Sequence, residues 1–158
     1  MAVEIERKFL VDKLKWKDIE KNNIILIKQG YLLTDPSKTI RVRQTGNESY
    51  LTIKGLNTGA ARSEYEYEIP SGDAEELIDK FSVSSVTKIR HIINFKNNKW
   101  EVDEFLGDNE GLIIAEIELK DVNQEFEKPE WIGTEVTGDE KYYNSSLSEN
   151  PFKHWQNN

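Results

Sequence analysis

Two kinds of charged pair recur in this sequence at a spacing of two residues, and each suits a different ligand. Arg41 and Arg43 stand in TIRVRQ, and Lys88 and Arg90 in TKIRHI. A guanidinium donates two parallel hydrogen bonds to an oxyanion, so such pairs suit phosphate oxygens. Glu4 and Glu6 in VEIERKF, Glu64 and Glu66 in RSEYEYEIP, and Glu116 and Glu118 in AEIEL are the acidic counterpart. Paired carboxylates suit a hard divalent cation such as Mg²⁺ or Mn²⁺, which also bridges to substrate phosphates. Together the two sets describe a site for metal and polyphosphate.

Residues two apart share a face only on a strand, so strands must position these pairs. Alternation predicts strands over 3–11, 24–34, 39–45, 49–55, 62–70, 86–96, 99–106 and 111–120, with a short ninth over 133–137. The turn signals TDPS, TGNE, LNTGA and KNNK separate several of them. One helix is expected after Ser71, with Asp73 as its cap, and shorter helices over 13–21 and 139–147. Eight or so antiparallel strands favour a closed barrel or a sandwich, a mainly β fold with a few helices in one domain over 1–158.

A charged strand face is ordinarily a wet one, and EIERK or EIELK taken alone says little. The sorting of sign says more. Surfaces normally mix charges, whereas here the strands bearing Arg41, Arg43, Lys54, Lys88 and Arg90 are basic. Those bearing Glu4, Glu6, Glu64, Glu66, Asp103, Glu116 and Glu118 are mainly acidic. Like charges two apart repel, and persist where an opposite charge sits between them. Periodicity leaves open whether this face meets solvent or a lumen. If the sheet closes, the charged faces line the lumen and the apolar faces point outward, under the helices.

Composition sets limits on partners. The chain has 158 residues, no cysteine and a net charge of −8 from 29 acidic and 21 basic residues. Disulfides and thiolate metal sites are excluded. The acidic balance argues against non-specific nucleic-acid or membrane binding, so the expected partner is a small anion met by a local basic cluster. With no unbroken apolar run of about 18 residues, the expectation is a soluble, cytoplasmic protein with no membrane partner; homodimer formation is left open.

In order along the chain, EIERK, RVR, TIK, RSEYEYE, KIR, VDEF, AEIEL and EVTGDEKYYNSSL resemble the CYTH superfamily, the triphosphate tunnel metalloenzymes. The resemblance implies an eight-stranded antiparallel closed barrel with a C-terminal plug helix, binding a triphosphate and one or two Mg²⁺ or Mn²⁺ ions. Family activities include inorganic, thiamine and RNA triphosphatases and one class of adenylyl cyclase; the compact chain favours inorganic tripolyphosphate hydrolysis, with an adenylyl cyclase, a thiamine or nucleoside triphosphatase and a non-catalytic polyphosphate binder as the alternatives. By resemblance, Lys8, Arg41, Arg43, Lys54, Arg62, Lys88, Arg90 and Lys141 bind substrate. Glu4, Glu6, Glu64, Glu66, Asp103, Glu116 and Glu118 hold metal, and Lys8, Tyr31, Glu66 and Glu118 serve the chemistry. Val3 stands where the family often has a histidine, outside the charged face. His91 and His154 are given no role.

Overall fold

The computed structural model describes residues 3–155. Its strands are β1 (Val3–Val11), β2 (Ile24–Leu33), β3 (Lys38–Thr45), β4 (Glu48–Gly55), β5 (Ala61–Ile69), β6 (Ser84–Phe95), β7 (Asn98–Phe105), β8 (Ile113–Glu118) and β9 (Ile132–Glu135). Neighbours run β5-β4-β3-β2-β6-β7-β8-β1, every pair antiparallel, and β1 returns to β5 to close an eight-stranded barrel. Strand β9 is the extra strand, paired with β1 alongside Phe9 and Val11. Closure through β1 and β5 pairs the two ends of the sheet, which helps so many short strands to be stable in one layer.

Local chemistry sets the hairpins. Between β6 and β7, Lys96 and Asn97 have φ of 49° and 66°, and two positive φ values in succession are what a two-residue type I′ turn requires. Helix α2 (Ser71–Phe81) lies on β2, β3 and β4 and buries Ala74 and Ile78 against Val42. Gly30 permits this contact, since a Cβ there would lie 3.0 Å from both Ile78 and Ser82. The expected cap is corrected: Pro70 occupies the N-cap and Asp73 lies within the first turn, where its charge meets the positive end of the helix dipole.

Two predicted helices are shorter than expected. Helix α1 spans only Lys13–Trp16, capped by Asp12, whose side chain accepts from the Leu14 and Lys15 amides. Beyond its end Lys21 Nζ donates to the carbonyls of Trp16 (2.7 Å) and Ile19 (2.9 Å), satisfying acceptors that the short helix leaves free. The predicted 139–147 helix is a 3-10 turn over Glu140–Tyr142 followed by α3 (Asn144–Glu149). Strand β8 is shorter than the predicted 111–120, because Gly111, at φ of 98°, turns the chain before it.

The apolar faces do point outward, but helices cover only part of them. Phe9, Val102, Ala115 and Ile117 pack beneath Trp16, Trp100 and Trp131, joined by Phe126 from the irregular segment after β8. Trp100 makes edge-to-face contacts with Phe9 and Phe126, each at 5.7 Å between ring centres. Leu147 of α3 fills a second cluster with Val86, Phe105, Leu112 and Ile114. On the outer side of β4 and β5, Ile53, Tyr65 and Tyr67 remain exposed, so that face lacks the expected cover. Among the described residues no helix is long and apolar enough to cross a membrane.

Candidate functional site

The charged faces line a cavity of about 210 Å³ inside the barrel. Glu4, Glu6 and Lys8 of β1 reach it together with Glu116 and Glu118 of β8, because the register sets Glu6 opposite Glu118 and Lys8 opposite Glu116. Arg41 and Arg43 enter from β3, Lys54 from β4, and Arg62, Glu64 and Glu66 from β5. Tyr31, Lys88 and Arg90 complete the wall from β2 and β6. Fourteen of the sixteen residues picked from the sequence therefore line one lumen. The period of two, combined with closure, is sufficient to bring them together.

Asp103 and Lys141 do not line it. Asp103 is fully buried on the inward face of β7, where its two oxygens accept from Arg90 Nε at 2.8 Å and Nη2 at 2.9 Å. Lys88 Nζ lies 2.7 Å from the same carboxylate. A carboxylate with two cations so close acts here as their counter-ion. Lys141 lies outside, its ammonium over the rings of Trp155 (4.6 Å) and Tyr142 (5.2 Å), because the backbone around the 3-10 turn directs it away from the barrel.

Several lining residues had no role assigned from the sequence. Tyr143, Asn144 and Ser145, at the start of α3, meet the lumen at one mouth. The Tyr143 ring lies 5.2 Å from Lys8 Nζ and 5.9 Å from the Arg62 guanidinium, and its hydroxyl accepts from Asn57 at 2.9 Å. Asn144 Oδ1 accepts from Lys88 Nζ at 2.7 Å. Thr39 and Glu101 lie on the inward face of their strands. Gln29, fully buried two residues before Tyr31, shares the inward side. Its position was implied by the same alternation; a search for charges passes over an amide.

Electrostatics divide the lumen. On the basic side, burial first, then the charges of Arg41 and Arg90, bring Arg43 down to about 10. Burial brings the Lys88 ammonium down to about 7, since Asp103 is shared with Arg90 while Arg90 and Arg43 repel it. Burial alone would raise the Asp103 carboxyl, but Arg90 and Lys88 outweigh it and hold it at about 2. Among the described residues the buried Nε atoms of Arg41 and Arg62 have no hydrogen-bond partner. Buried cationic groups left short of partners are costly, and an anion beside these guanidiniums would compensate their charge.

On the acidic side, burial and then the charge of Glu116 hold the Glu6 carboxyl well above its ordinary range. Glu118 is raised by burial, then by Glu4 and Glu101. Lys54 Nζ bridges Glu4 at 2.9 Å and Glu64 at 3.3 Å. Crowded carboxylates that raise one another's pKa are a donor set that fits a hard divalent cation. Among the described residues no three acidic or histidine side chains converge as a ready-made metal cluster.

The sequence model of the CYTH domain matches residues 2–150. The chain is 50% identical over 157 residues to an inorganic triphosphatase of Acetivibrio thermocellus, covering 99% of each. It is 35% identical over 149 residues to an inorganic triphosphatase of Nitrosomonas europaea, covering 92% of this chain and 96% of that one. A crystal structure of an inorganic triphosphatase superposes with a TM-score of 0.63 at 34% identity, covering 94% of this chain and 95% of the other. A closed antiparallel barrel with a charge-sorted lumen and a match across nearly the whole sequence have one joint meaning, and the chain belongs to the CYTH family.

Proposed function

We propose that the protein is a divalent-metal-dependent hydrolase of inorganic tripolyphosphate, releasing pyrophosphate and phosphate. The observation that carries this reading is the sorting of one lumen into a basic side, around Arg41, Arg43 and Arg90, and a carboxylate side, around Glu4, Glu6, Glu116 and Glu118. Relatives of up to 50% identity named inorganic triphosphatases support the substrate.

Hydrolysis of a phosphoanhydride asks mainly for positioning and charge stabilisation. Glu4, Glu6, Glu116 and Glu118 would hold Mg²⁺ or Mn²⁺, which supplies charge neutralisation at phosphate oxygens and a more acidic water. Arg41, Arg43 and Arg62 bind the phosphates from the basic side of the lumen. Lys8 stays protonated, because Glu116 and Glu6 outweigh the effect of its burial, and it binds a phosphate beside Tyr31. Water oxygen bonds to the terminal phosphorus, the bridging P–O bond breaks, and pyrophosphate leaves on the bridging oxygen, stabilised by the arginines. Glu66, whose carboxylate accepts from Thr52 at 3.0 Å and lies outside the metal-ligand set, accepts the water proton; Glu118 is the other carboxylate placed for that step if it leaves the metal.

Phosphate release from tripolyphosphate, pyrophosphate, thiamine triphosphate and ATP, each with Mg²⁺ or Mn²⁺, tests the proposal. Tripolyphosphate should be fastest, and Glu116→Gln should abolish turnover. Undiminished release after exhaustive chelation, or equal rates on pyrophosphate, would overturn it.

A further inference from the structure

Arg43 and Arg90 both face the lumen, yet they are held in different ways. Arg90 is gripped through two nitrogens by the carboxylate of Asp103, with Glu101 a further 3.1 Å from Nη1, so its charge is largely compensated. Arg43 is held by an amide. Its Nε donates to Gln29 Oε1 at 2.7 Å, and among the described residues that is its hydrogen bond to the protein. Gln29 is 0% exposed, and its Nε2 donates in turn to the Tyr31 hydroxyl at 3.2 Å and to Asn144 Oδ1 at 3.3 Å. Asn144 Oδ1 also receives Lys88. One neutral side chain therefore ties an arginine, a tyrosine and the start of α3 into a single network.

We propose that Gln29 is a positioning residue that aims Arg43 at the substrate without neutralising it. A guanidinium fixed through Nε presents its two terminal nitrogens as a fork, the geometry that suits a phosphate. A carboxylate at this position would fix Arg43 equally well and cancel the charge that attracts the anion. A shorter or apolar side chain would leave the charge but lose the aim. The network also places Asn144, beside Tyr143 and Ser145 of the lumen lining, next to the two basic strands. This inference rests on the triphosphatase reading and adds a residue that bears no charge to the binding machinery.

The test is Gln29→Glu, which keeps the shape of the side chain and sets a carboxylate against Arg43. KM for tripolyphosphate is expected to rise about tenfold or more, because the carboxylate cancels the charge of Arg43, while the ion pair with Arg43 offsets the lost Nε2 bonds to Tyr31 and Asn144 and the melting temperature of the ligand-free protein falls less than in Gln29→Met. In an Arg43→Met background the same substitution changes KM by less than about threefold. A KM close to that of the parent, or an equal rise in the Arg43→Met background, overturns the proposal. A merely structural role would lower the melting temperature and leave KM in place. Should Gln29→Glu fail to fold, Gln29→Met carries the test: it frees Arg43 with its charge intact, KM must still rise, and an unchanged KM overturns the proposal. Failure of the parent to release phosphate from tripolyphosphate would count against the enzymatic reading instead. The melting shift induced by tripolyphosphate then replaces KM in the same comparison.

Discussion

Both oxygens of Asp103 are taken by Arg90, at 2.8 and 2.9 Å, inside the barrel on the same face of β7 as Glu101. Lys88 adds a second cation to the same carboxylate at 2.7 Å. Breaking a buried pair by removing one partner leaves uncompensated charge, at a cost of about 3–5 kcal/mol. Asp103→Asn should therefore lower the melting temperature by roughly 6–20 °C for a chain of this size. Tripolyphosphate should restore part of the loss, since it supplies negative charge to the same cations. A melting curve indistinguishable from that of the parent would show that Asp103 is not their counter-ion.

The same carboxylate sets an acid limit on stability. Its folded pKa is depressed to about 2 from an ordinary 3.8, so the unfolded chain binds its proton first as pH falls. The stabilisation is complete above about pH 4 and is lost progressively down to about pH 2, amounting to about 2 kcal/mol. Denaturant unfolding at a series of pH values should show this loss in the parent and not in Asp103→Asn.

Leu147 ties the start of α3 to the barrel. It is 0% exposed among Val86, Phe105, Leu112 and Ile114, so Leu147→Ala should cost about 2–5 kcal/mol. Because Tyr143, Asn144 and Ser145 precede it in the same segment and line the lumen, KM for tripolyphosphate should rise as well. Calorimetry paired with steady-state kinetics checks both; a loss of stability with unchanged KM would separate α3 from substrate binding.

Metal and polyphosphate should stabilise the fold together more than the sum of their separate effects. Arg41, Arg43 and Arg90 repel one another in the lumen, as do Glu4, Glu6 and Glu116, and a ligand pair that joins the two sets relieves both. At about 100 times its dissociation constant a ligand adds about 2.7 kcal/mol. Tripolyphosphate with Ca²⁺ should raise the melting temperature beyond the sum of the two separate shifts, and Arg43→Ala should remove most of the excess. Strictly additive shifts would mean that metal and phosphate occupy different places.

Alternation in the sequence determined which side chains share a face, because a strand has only two sides. From it follow the strands, the pairing of bases in RVR and KIR, and the pairing of acids in EIE, and the lumen holds nearly all of them. What alternation could not decide is depth and partnership, which depend on where strands from distant parts of the chain come to lie. Asp103 has the same parity as Glu101, yet β6 brings Arg90 and Lys88 against it, so it serves cations where Glu101 meets the cavity. Lys141 carried the right charge, but the 3-10 turn aims it outward onto Trp155. Gln29 and Asn144 carry no charge to betray them, and only closure of the barrel, with α3 docked at its mouth, brings an amide from β2 within reach of Arg43, Tyr31 and Asn144 at once.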